Sequence, residues 1–573
     1  MGNAIHNKPF AGGLLIVYFY PVNLYLKMKK ILLSLLAAVL FYGCSQPDYD
    51  TIIRNGLIYD GSGAAPIKAD LAINADTIAF IGDLRDKTAK EEYDAQGQAV
   101  SPGFINMLSW ATVSLIEDGR SQSDIRQGVT LEVMGEGSSM GPLNEEMKAE
   151  KLANQQDINY AVNWNTLGEY LEMLEKKGVS TNIASFVGNA TVRKYVLGMD
   201  SRQPTPAELG QMKDLVRQAM EEGAMGISSS LIYVPSRYAG TRELIELAKV
   251  AAAYDGMYIS HIRGEANTLI EAVNELITIA REAGIRAEIY HLKASETANW
   301  HKLDSVIALV EAAQKEGLHI TADMYTYPAS STGLNVVLPQ WAKDGGHDST
   351  MARFKDPELR QKAIAQVHFT CSPDSTLLVG FKNPDLRKYI GKSVGEIARE
   401  RGISPEQAVV DLIEEDDSRI QAVYFTMSAD NIRKKVAIPW VSFCSDAGSY
   451  TNEGVFLKQS THPRAYGSFI RVLGKFSRDE KIIPLEEAIR KLAYLPATNL
   501  KIPKRGLLKP GFYADVVVFD PATVNDKATF AEPHQYAVGV SNVWVNGIRV
   551  LQDGRHTGAK AGRVIRGPGY KAN

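Results

Sequence analysis

The sequence predicts a (β/α)8 barrel joined to a small β-sandwich domain that is assembled from both ends of the chain. The barrel is predicted because the middle of the chain alternates eight short apolar strand candidates with amphipathic stretches of helical period. The sandwich is predicted because both ends contain short β-branched runs separated by turn signals. A chain of 573 residues also exceeds what one hydrophobic core usually serves, so a large domain and a smaller one are expected.

Residues 28–43 have the pattern of an export signal. A basic start is followed by a short apolar run, too short to span a bilayer comfortably, and then by Cys44. This cysteine resembles the lipidated residue of bacterial lipoproteins; an ordinary signal peptide cut elsewhere is the alternative. We therefore expect residues 1–27 to be an upstream extension and residues 44–50 to be a tether. The mature protein is expected to be exported, either periplasmic or held at the membrane through a lipid on Cys44.

Both ends of the mature chain are predicted to be β-rich. Residues 51–98 and 501–565 contain alternating apolar and polar runs, which we assign to the two parts of the sandwich. Asn-Gly pairs at 55–56 and 546–547 lie between such runs, and this dipeptide is a strong hairpin signal. The barrel is assigned to the intervening residues 99–500.

Eight strand candidates define the barrel, and each is a short run rich in apolar residues. They are residues 99–106, 129–135, 182–188, 225–230, 258–261, 287–291, 320–325 and 441–446. Helices are predicted between them, at 206–222, 242–253, 265–284 and 303–316. The interval 345–437, between strands seven and eight, is too long for a simple crossover and contains helical stretches of its own. We interpret it as an inserted subdomain in a position to cover the barrel mouth.

Composition excludes several classes of function. The formal net charge of -3, with 63 Lys and Arg against 66 Asp and Glu, gives no basic surface for nucleic acid. Three cysteines are too few and too scattered for a disulfide framework. A small molecule is the expected partner, and the sequence leaves the oligomeric state open.

Two histidines end neighbouring strand candidates and indicate a metal site. His261 and His291 each close a short apolar strand, with one predicted helix between them. The carboxyl ends of barrel strands meet at the face that holds active sites, so we expect the two imidazoles side by side. Zinc used in hydrolysis takes three protein ligands and one water. Glu136 is the leading third ligand, because Gly135 and Gly137 let the backbone turn its side chain into the mouth.

Three more charged residues are expected at the same face. Asp446 ends the last strand candidate, where it either accepts a proton from activated water or caps the helix that follows. Lys293 and Arg464 are expected to pair with a substrate carboxylate, the alternative being plain surface charges.

Nine short motifs follow one another along the mature chain. They lie at residues 101–105, 127–130, 260–265, 291–293, 323–328, 338–341, 445–446, 462–467 and 514–521. In this order they resemble the N-acyl-D-amino-acid deacylases (D-aminoacylases) of the amidohydrolase superfamily, and the resemblance covers nearly the whole mature chain.

The resemblance implies zinc-dependent hydrolysis of the amide of N-acyl-D-amino acids, which yields a carboxylic acid and a free D-amino acid. It implies one tightly held zinc per chain on His261 and His291, and it gives the handling of protons to Asp446. The positions that resemble those holding the substrate's carboxylate and acyl group are Lys293, Tyr325, Ser331, Arg464 and Tyr233.

The chain departs from the superfamily pattern in ways that bear on the number of metals. The superfamily usually carries His-x-His after the first strand, but Leu108 and Trp110 stand there, and neither side chain binds a metal. The family's cysteine ligand is also absent; its position is Glu136 or Gly137, depending on the direction of counting. The family's histidine after the third strand is Asn189 here. These departures exclude a binuclear site and leave a mononuclear one.

Two other functions remain as alternatives. One is a cyclic-amide hydrolase of the hydantoinase or dihydroorotase kind. Such sites generally bridge two metals with a carboxylated lysine, and no lysine ends a predicted barrel strand. The other is a catalytically inactive barrel that acts as a binding protein, which the missing His-x-His favours. The joint presence of the two histidines, Lys293 and Asp446 disfavours it.

Overall fold

A computed structural model describes residues 27–28 and 46–572 of the chain. It divides into two compact units, Met1–Asp48 and Tyr49–Asn573, and the second contains all the elements described below. Cys44 lies outside the described residues, as does the predicted export signal apart from Met28. Within the described ranges, no helix has the length and apolar character needed to cross a membrane.

The strands of the second unit are short, as expected for a barrel and a small sheet. In chain order they are β1 Tyr49–Ile58, β2 Ile67–Asn74, β3 Thr77–Gly82, β4 Ala89–Asp94, β5 Ala99–Pro102, β6 Phe104–Asn106, β7 Val129–Met134, β8 Asn182–Ser185, β9 Val187–Gly188, β10 Gly226–Ser230, β11 Met257–His261, β12 Arg286–Ile289, β13 Ile320–Met324, β14 Ser330–Gly333, β15 Thr376–Gly380, β16 Gln421–Tyr424, β17 Val441–Phe443, β18 Val516–Phe519, β19 Val540–Val545, β20 Ile548–Gln552 and β21 Arg555–His556.

The α-helices lie mostly between the barrel strands and in the long interval before β17. They are Ser114–Glu117, Gln122–Ile125, Glu145–Ala153, Leu167–Lys177, Asn189–Leu197, Pro206–Glu221, Thr241–Ala253, Leu269–Ala283, Lys302–Lys315, Gln340–Lys343, His347–Phe354, Pro357–Ala365, Val394–Arg401, Pro405–Asp416, Ala429–Ala437, Arg464–Arg471, Leu485–Leu492 and Tyr494–Asn499. Several begin at side-chain caps. Thr205, for example, accepts a hydrogen bond from the Glu208 amide ahead of the helix that starts at Pro206.

The barrel is formed by two parallel sheets that meet at both edges. One contains β6, β7 and β8; the other runs β9-β10-β11-β12-β13-β17. Only Phe186 separates β8 from β9, and at the other junction Ser109 forms a parallel bridge with Ala447. The strands are buried on both faces, which is why they appear in the sequence as nearly continuous apolar runs. Each of the eight predicted positions contains a strand, so the predicted (β/α)8 barrel is confirmed.

The first predicted strand, residues 99–106, is in fact two strands that serve different sheets. Gly103 separates β5, which belongs to the outer sheet, from β6, which opens the barrel. A side chain at Gly103 would collide with Thr130, so only glycine lets the chain pass β7 this closely at the change of sheet.

The outer sheet contains strands from both ends of the second unit. Its order is β21-β20-β19-β18-β5-β1-β2-β3, and β4 also pairs with β1. Asn546-Gly547 forms the turn between β19 and β20, as its sequence predicts. The prediction of a hairpin turn at Asn55-Gly56 is wrong: both residues lie inside β1. The pairing of β1 with β2 shifts register between Ile53 and Gly56, where Asn55 has a positive φ. Asn55-Gly56 therefore forms a bulge instead of a turn.

The long interval between β13 and β17 has a core of its own. β14, β16 and β15 form an antiparallel sheet in that order, covered by helices between Gln340 and Asp416. Leu378, Ile397, Val409 and Ala422 are among the residues buried in this core. β14 precedes residue 345, the expected start of the insert, because its pairing with β16 draws it into this sheet.

Candidate metal centre

His261 and His291 lie side by side at the carboxyl end of the barrel. His261 is the last residue of β11, and His291 lies two residues beyond β12, its parallel neighbour. Their ring centroids are 4.5 Å apart and the rings are nearly perpendicular. The backbone of His291 has a φ of 36°, and its amide donates to Asp323 Oδ1 at 2.7 Å. That turn directs the imidazole toward His261 instead of along the sheet.

Glu136 comes to the histidine pair from across the barrel. It follows β7 in a loop where Gly135 and Gly137 have φ values of 101° and 62°, both in the region that favours glycine. Its Oε1 lies 2.9 Å from His261 Nδ1 and 3.0 Å from His291 Nε2. The structure therefore brings together the three residues that the sequence suggested as metal ligands.

The donor set of this cluster suits zinc. One ligand atom from each of Glu136, His261 and His291 can be chosen so that all three lie within 4.8 Å of one another, and all three residues are buried. Two imidazoles and one carboxylate make a three-ligand set that leaves a position open for water or substrate, as in hydrolytic zinc sites. The residues therefore fit a single zinc ion.

The pKa values of His291 and Glu136 are both strongly shifted by the charges around them. Burial lowers the pKa of His291 and Lys293 opposes its charge, but the carboxylates of Glu136 and Asp446 outweigh both and raise it to about 10. Burial raises the pKa of Glu136, whereas His291 and His261 lower it far more, to well below its usual range. Both shifts favour a positive charge beside the Glu136 carboxylate, which is the charge that a cation bound by these residues would supply.

Glu265 faces the outer nitrogens of both histidines, and sequence reasoning did not select it. Its Oε1 lies 2.6 Å from Lys293 Nζ and 3.2 Å from His291 Nδ1, and its Oε2 lies 3.6 Å from His261 Nε2. Burial raises the pKa of Glu265, but Lys293 and His261 bring it well below its usual range. The only sequence signal was its place four residues after His261. The residue was instead assigned to the predicted helix 265–284, but the observed helix begins only at Leu269.

Asp446 lies beside the histidines, beyond the end of β17. Its φ is 48°, which turns the residue out of the line of the strand. Arg464 Nη1 is 2.6 Å from Asp446 Oδ2, and Trp110 Nε1 donates to Asp446 Oδ1 at 3.1 Å. The carboxylate therefore has a partner on each oxygen.

The two predicted carboxylate-binding cations both face acids of the protein. Lys293 is paired with Glu265 and Arg464 with Asp446, and both cations are buried. Arg464 Nε has no hydrogen-bond partner among the described residues. The alternative, that Lys293 and Arg464 are plain surface charges, is therefore wrong.

The other predicted substrate residues surround these groups. The ring centroid of Tyr325 is 4.5 Å from the Arg464 guanidinium carbon and 5.8 Å from Lys293 Nζ. The Ser331 carbonyl accepts from Arg464 Nη2 at 3.4 Å. Tyr233 packs edge-on to His261, with 5.4 Å between the ring centroids. Burial raises its pKa to about 12, so Tyr233 is a neutral hydroxyl at physiological pH.

Three positions that differ from the superfamily pattern have other partners here. Leu108 is fully buried in the barrel core. Asn189 accepts a hydrogen bond from Ser236 Oγ at 2.8 Å. Trp110 contacts Asp446, as described above, and its side chain carries no atom that binds a metal.

Comparison with known proteins decides the family. A model of the amidohydrolase family matches residues 458–551. A D-aminoacylase of Alcaligenes xylosoxydans xylosoxydans is 33% identical over 522 residues, which cover 91% of this chain and 98% of that protein. The chain belongs to the D-aminoacylase family of amidohydrolases. This membership confirms the predicted family and the prediction that the protein is an amidohydrolase enzyme.

Solved structures of D-aminoacylase relatives share the architecture. An N-acyl-D-glutamate deacylase of Bordetella bronchiseptica, complexed with zinc and a phosphonate inhibitor, is 31% identical with a TM-score of 0.75. The match covers 90% of this chain and 99% of that one. A D-aminoacylase studied for the role of its binuclear metal centre is 32% identical with a TM-score of 0.77, covering 90% and 100%. An L-hydantoinase of Arthrobacter aurescens, at 15% identity and a TM-score of 0.52, shares the fold alone.

Proposed function

We propose that this protein is a zinc-dependent hydrolase that cleaves the amide bond of N-acyl-D-amino acids, releasing a carboxylic acid and a free D-amino acid. One observation carries the proposal. The donor atoms of Glu136, His261 and His291 converge at the mouth of a barrel whose chain belongs to the D-aminoacylase family.

Three residues would hold the metal and one would orient them. Glu136 Oε1, His261 Nδ1 and His291 Nε2 face one another and form the ligand set. Glu265 lies on the outer side of both rings, where it would orient His291 together with Lys293, whose Nζ lies 2.7 Å from His291 Nδ1. When bound, zinc supplies a Lewis acid that polarises a carbonyl and activates water.

Asp446 would move the proton in this reaction. One of its carboxylate oxygens takes a proton from the attacking water and later gives it to the leaving nitrogen. Arg464 and Trp110 hold the carboxylate at the barrel mouth.

Lys293 and Arg464 would bind the substrate's carboxylate. Both are buried, and each is already fixed by an acid of the protein, so little side-chain freedom is lost when the substrate arrives. The Tyr325 ring lies near both cations, and the Ser331 carbonyl accepts from Arg464. Two cations on one carboxylate would hold the scissile amide in a fixed orientation, which is itself a source of rate.

A panel of substrates tests the reaction. Purified protein loaded with one equivalent of zinc is incubated with N-acetyl-D-amino acids, their L-forms, D-dipeptides and hydantoins, and the released free amino acid is measured. We expect turnover of the N-acetyl-D-amino acids and not of the L-forms. Opening of hydantoins would instead support a cyclic-amide hydrolase, and turnover of none would support a binding protein.

Removal of one ligand tests the metal. His261→Ala should lose its zinc and its activity together, because two donors bind zinc far less tightly than three. Metal analysis of the purified variant measures this. His347→Ala removes a half-exposed histidine of the insert, paired with Asp417, and should retain the zinc. A metal-free parent protein would contradict the proposal.

Asp446→Asn separates proton transfer from metal binding. The amide cannot accept the proton of water, so turnover should fall by about 10²–10⁴-fold. Zinc content should stay that of the parent, because Asp446 is not one of the three ligands. Steady-state rates and metal analysis on one preparation decide the point, and a parent-like rate would exclude the assigned role.

A further inference from the structure

Trp110 and Asp446 are brought together by the closure of the barrel. The chain after β6 and the chain after β17 run side by side: Asp446 N donates to Leu108 O at 3.0 Å, and Trp110 N donates to Ala447 O at 2.9 Å. A parallel bridge between Ser109 and Ala447 lies in the same place. The backbones therefore fix residues 110 and 446 as neighbours before their side chains interact.

The side chain of Trp110 then makes a specific contact. Its Nε1 donates to Asp446 Oδ1 at 3.1 Å, while Arg464 Nη1 lies 2.6 Å from Oδ2. Trp110 is nevertheless 39% exposed, so packing alone does not account for an indole at this position. A hydrogen bond to a charged acceptor is among the stronger ones in proteins and would hold the carboxylate in one orientation.

An indole N–H is a donor only and cannot bind a metal. Leu108, two residues earlier, is buried and apolar. The end of β6 thus offers Asp446 a hydrogen-bond donor instead of a second metal ion. Among the described residues, one cluster of three or more ligand-type side chains could hold a metal, and it consists of Glu136, His261 and His291.

We propose that Trp110 is a positioning residue, which orients the Asp446 carboxylate for proton transfer in a site that holds one metal ion. The inference rests on the proposed function, since it needs Asp446 to be the proton acceptor. In this arrangement the neutral indole of Trp110, and not a second cation, holds Asp446 Oδ1.

Trp110→Phe tests the inference, because phenylalanine keeps an aromatic ring and removes the donor. We expect kcat to fall about tenfold, the effect of losing one hydrogen bond to a charged group. KM and zinc content should stay within twofold of the parent, because Trp110 is not assigned to substrate or metal. Trp341→Phe is the matched control: it removes an indole donor that bonds Gln366 in the insert. It should keep the parent kcat.

The outcomes are distinct. A Trp110→Phe variant whose kcat stays within twofold of an active parent overturns the positioning role and leaves the proposed function intact. A variant that loses zinc, or raises KM as much as it lowers kcat, makes Trp110 a structural or substrate-contacting residue and also overturns it. A parent without amidohydrolase turnover overturns both proposals. As a second readout, a crystal structure of Trp110→Phe should show the Asp446 carboxylate rotated from its place in the parent.

Discussion

Glu265 is the residue on which both histidines and Lys293 converge. Histidines that bind metals almost always donate their other ring N–H to a carboxylate, carbonyl or water, which fixes the tautomer and the ring orientation. Here one carboxylate faces both rings, with Oε1 3.2 Å from His291 Nδ1 and Oε2 3.6 Å from His261 Nε2. His261 Nε2 is buried and has no hydrogen-bond partner among the described residues, so a small shift of Glu265 would satisfy it.

Glu265→Gln should weaken zinc binding by about 10–100-fold, the usual effect of removing such a partner. Competition with a chelator of known affinity measures the zinc Kd directly, without a substrate. Glu271→Gln, an exposed acid on the helix Leu269–Ala283, is the control and should keep the parent Kd. An unchanged Kd in Glu265→Gln would exclude the orienting role.

At the scale of elements, the loop after β7 decides whether the proposed ligand set is complete. Gly137 has a φ of 62°, and its amide donates to Ser228 Oγ at 3.0 Å. A Cβ on Gly137 would meet the backbone nitrogen of Ser230 at 2.7 Å as well as the Ser230 side chain. The loop is therefore pressed against β10, and Glu136 depends on that contact for its position.

Gly137→Ala should disturb both stability and metal binding. The positive φ costs about 1–2 kcal/mol for alanine, and the collision with Ser230 adds about 1–3 kcal/mol. Gly284→Ala is the control, because Gly284 is left-handed, with a φ of 63°, and has no atom within 4 Å of its Cβ position. Denaturant unfolding and zinc titration of the two variants should show weaker zinc binding in Gly137→Ala alone. Equal zinc affinity in both would contradict the role given to the loop.

At the scale of the whole molecule, a buried polar network joins the outer sheet to the barrel. Arg505 forms an ion pair with Asp515 and donates from Nη2 to Asn546 Oδ1 at 2.8 Å. Asn546 Nδ2 in turn donates to Asn182 Oδ1, on β8, at 2.8 Å. All four residues are buried, so their hydrogen bonds and charges must be satisfied by one another.

Asp515→Ala should therefore destabilise the protein strongly. It leaves Arg505 buried without its partner, a change that typically costs about 3–5 kcal/mol. Asp76→Ala is the control, because it breaks a half-exposed pair with Arg563 that is expected to contribute only about 0–1 kcal/mol. Free energies of unfolding from chemical denaturation compare the two. A similar small loss in both would mean that the network contributes little.

The order of the strands and the proposed ligand set could be predicted from the sequence, for different physical reasons. Strands buried on both faces appear as apolar runs, and the residue at the end of such a run, such as His261, must lie at the barrel mouth. Glu136 could be suggested because a glycine on each side lets the backbone turn the Glu136 side chain into the barrel mouth, and that signal is readable from neighbouring residues alone. The roles of the individual residues remain predictions.

The contacts of Trp110 and Glu265 could not be predicted in this way. Trp110 meets Asp446 only because β6 and β17 close the barrel, and that contact has no local signal in the sequence. Glu265 reaches the histidines from a turn ahead of its helix, where side-chain direction follows no regular period. Asn55-Gly56 shows the converse, since a local turn signal was overridden when β1 paired on both sides.

The pairing of β18 with β5 also bears on how the protein is made. β5 leaves the ribosome before any barrel strand, and β18 is synthesised after the barrel is complete, yet the two are neighbours in one sheet. Throughout synthesis of the barrel, β5 therefore has an open edge on the side that β18 will occupy, and unpaired strand edges recruit other chains. A nascent chain stalled within the barrel would expose this edge to chaperones and to aggregation.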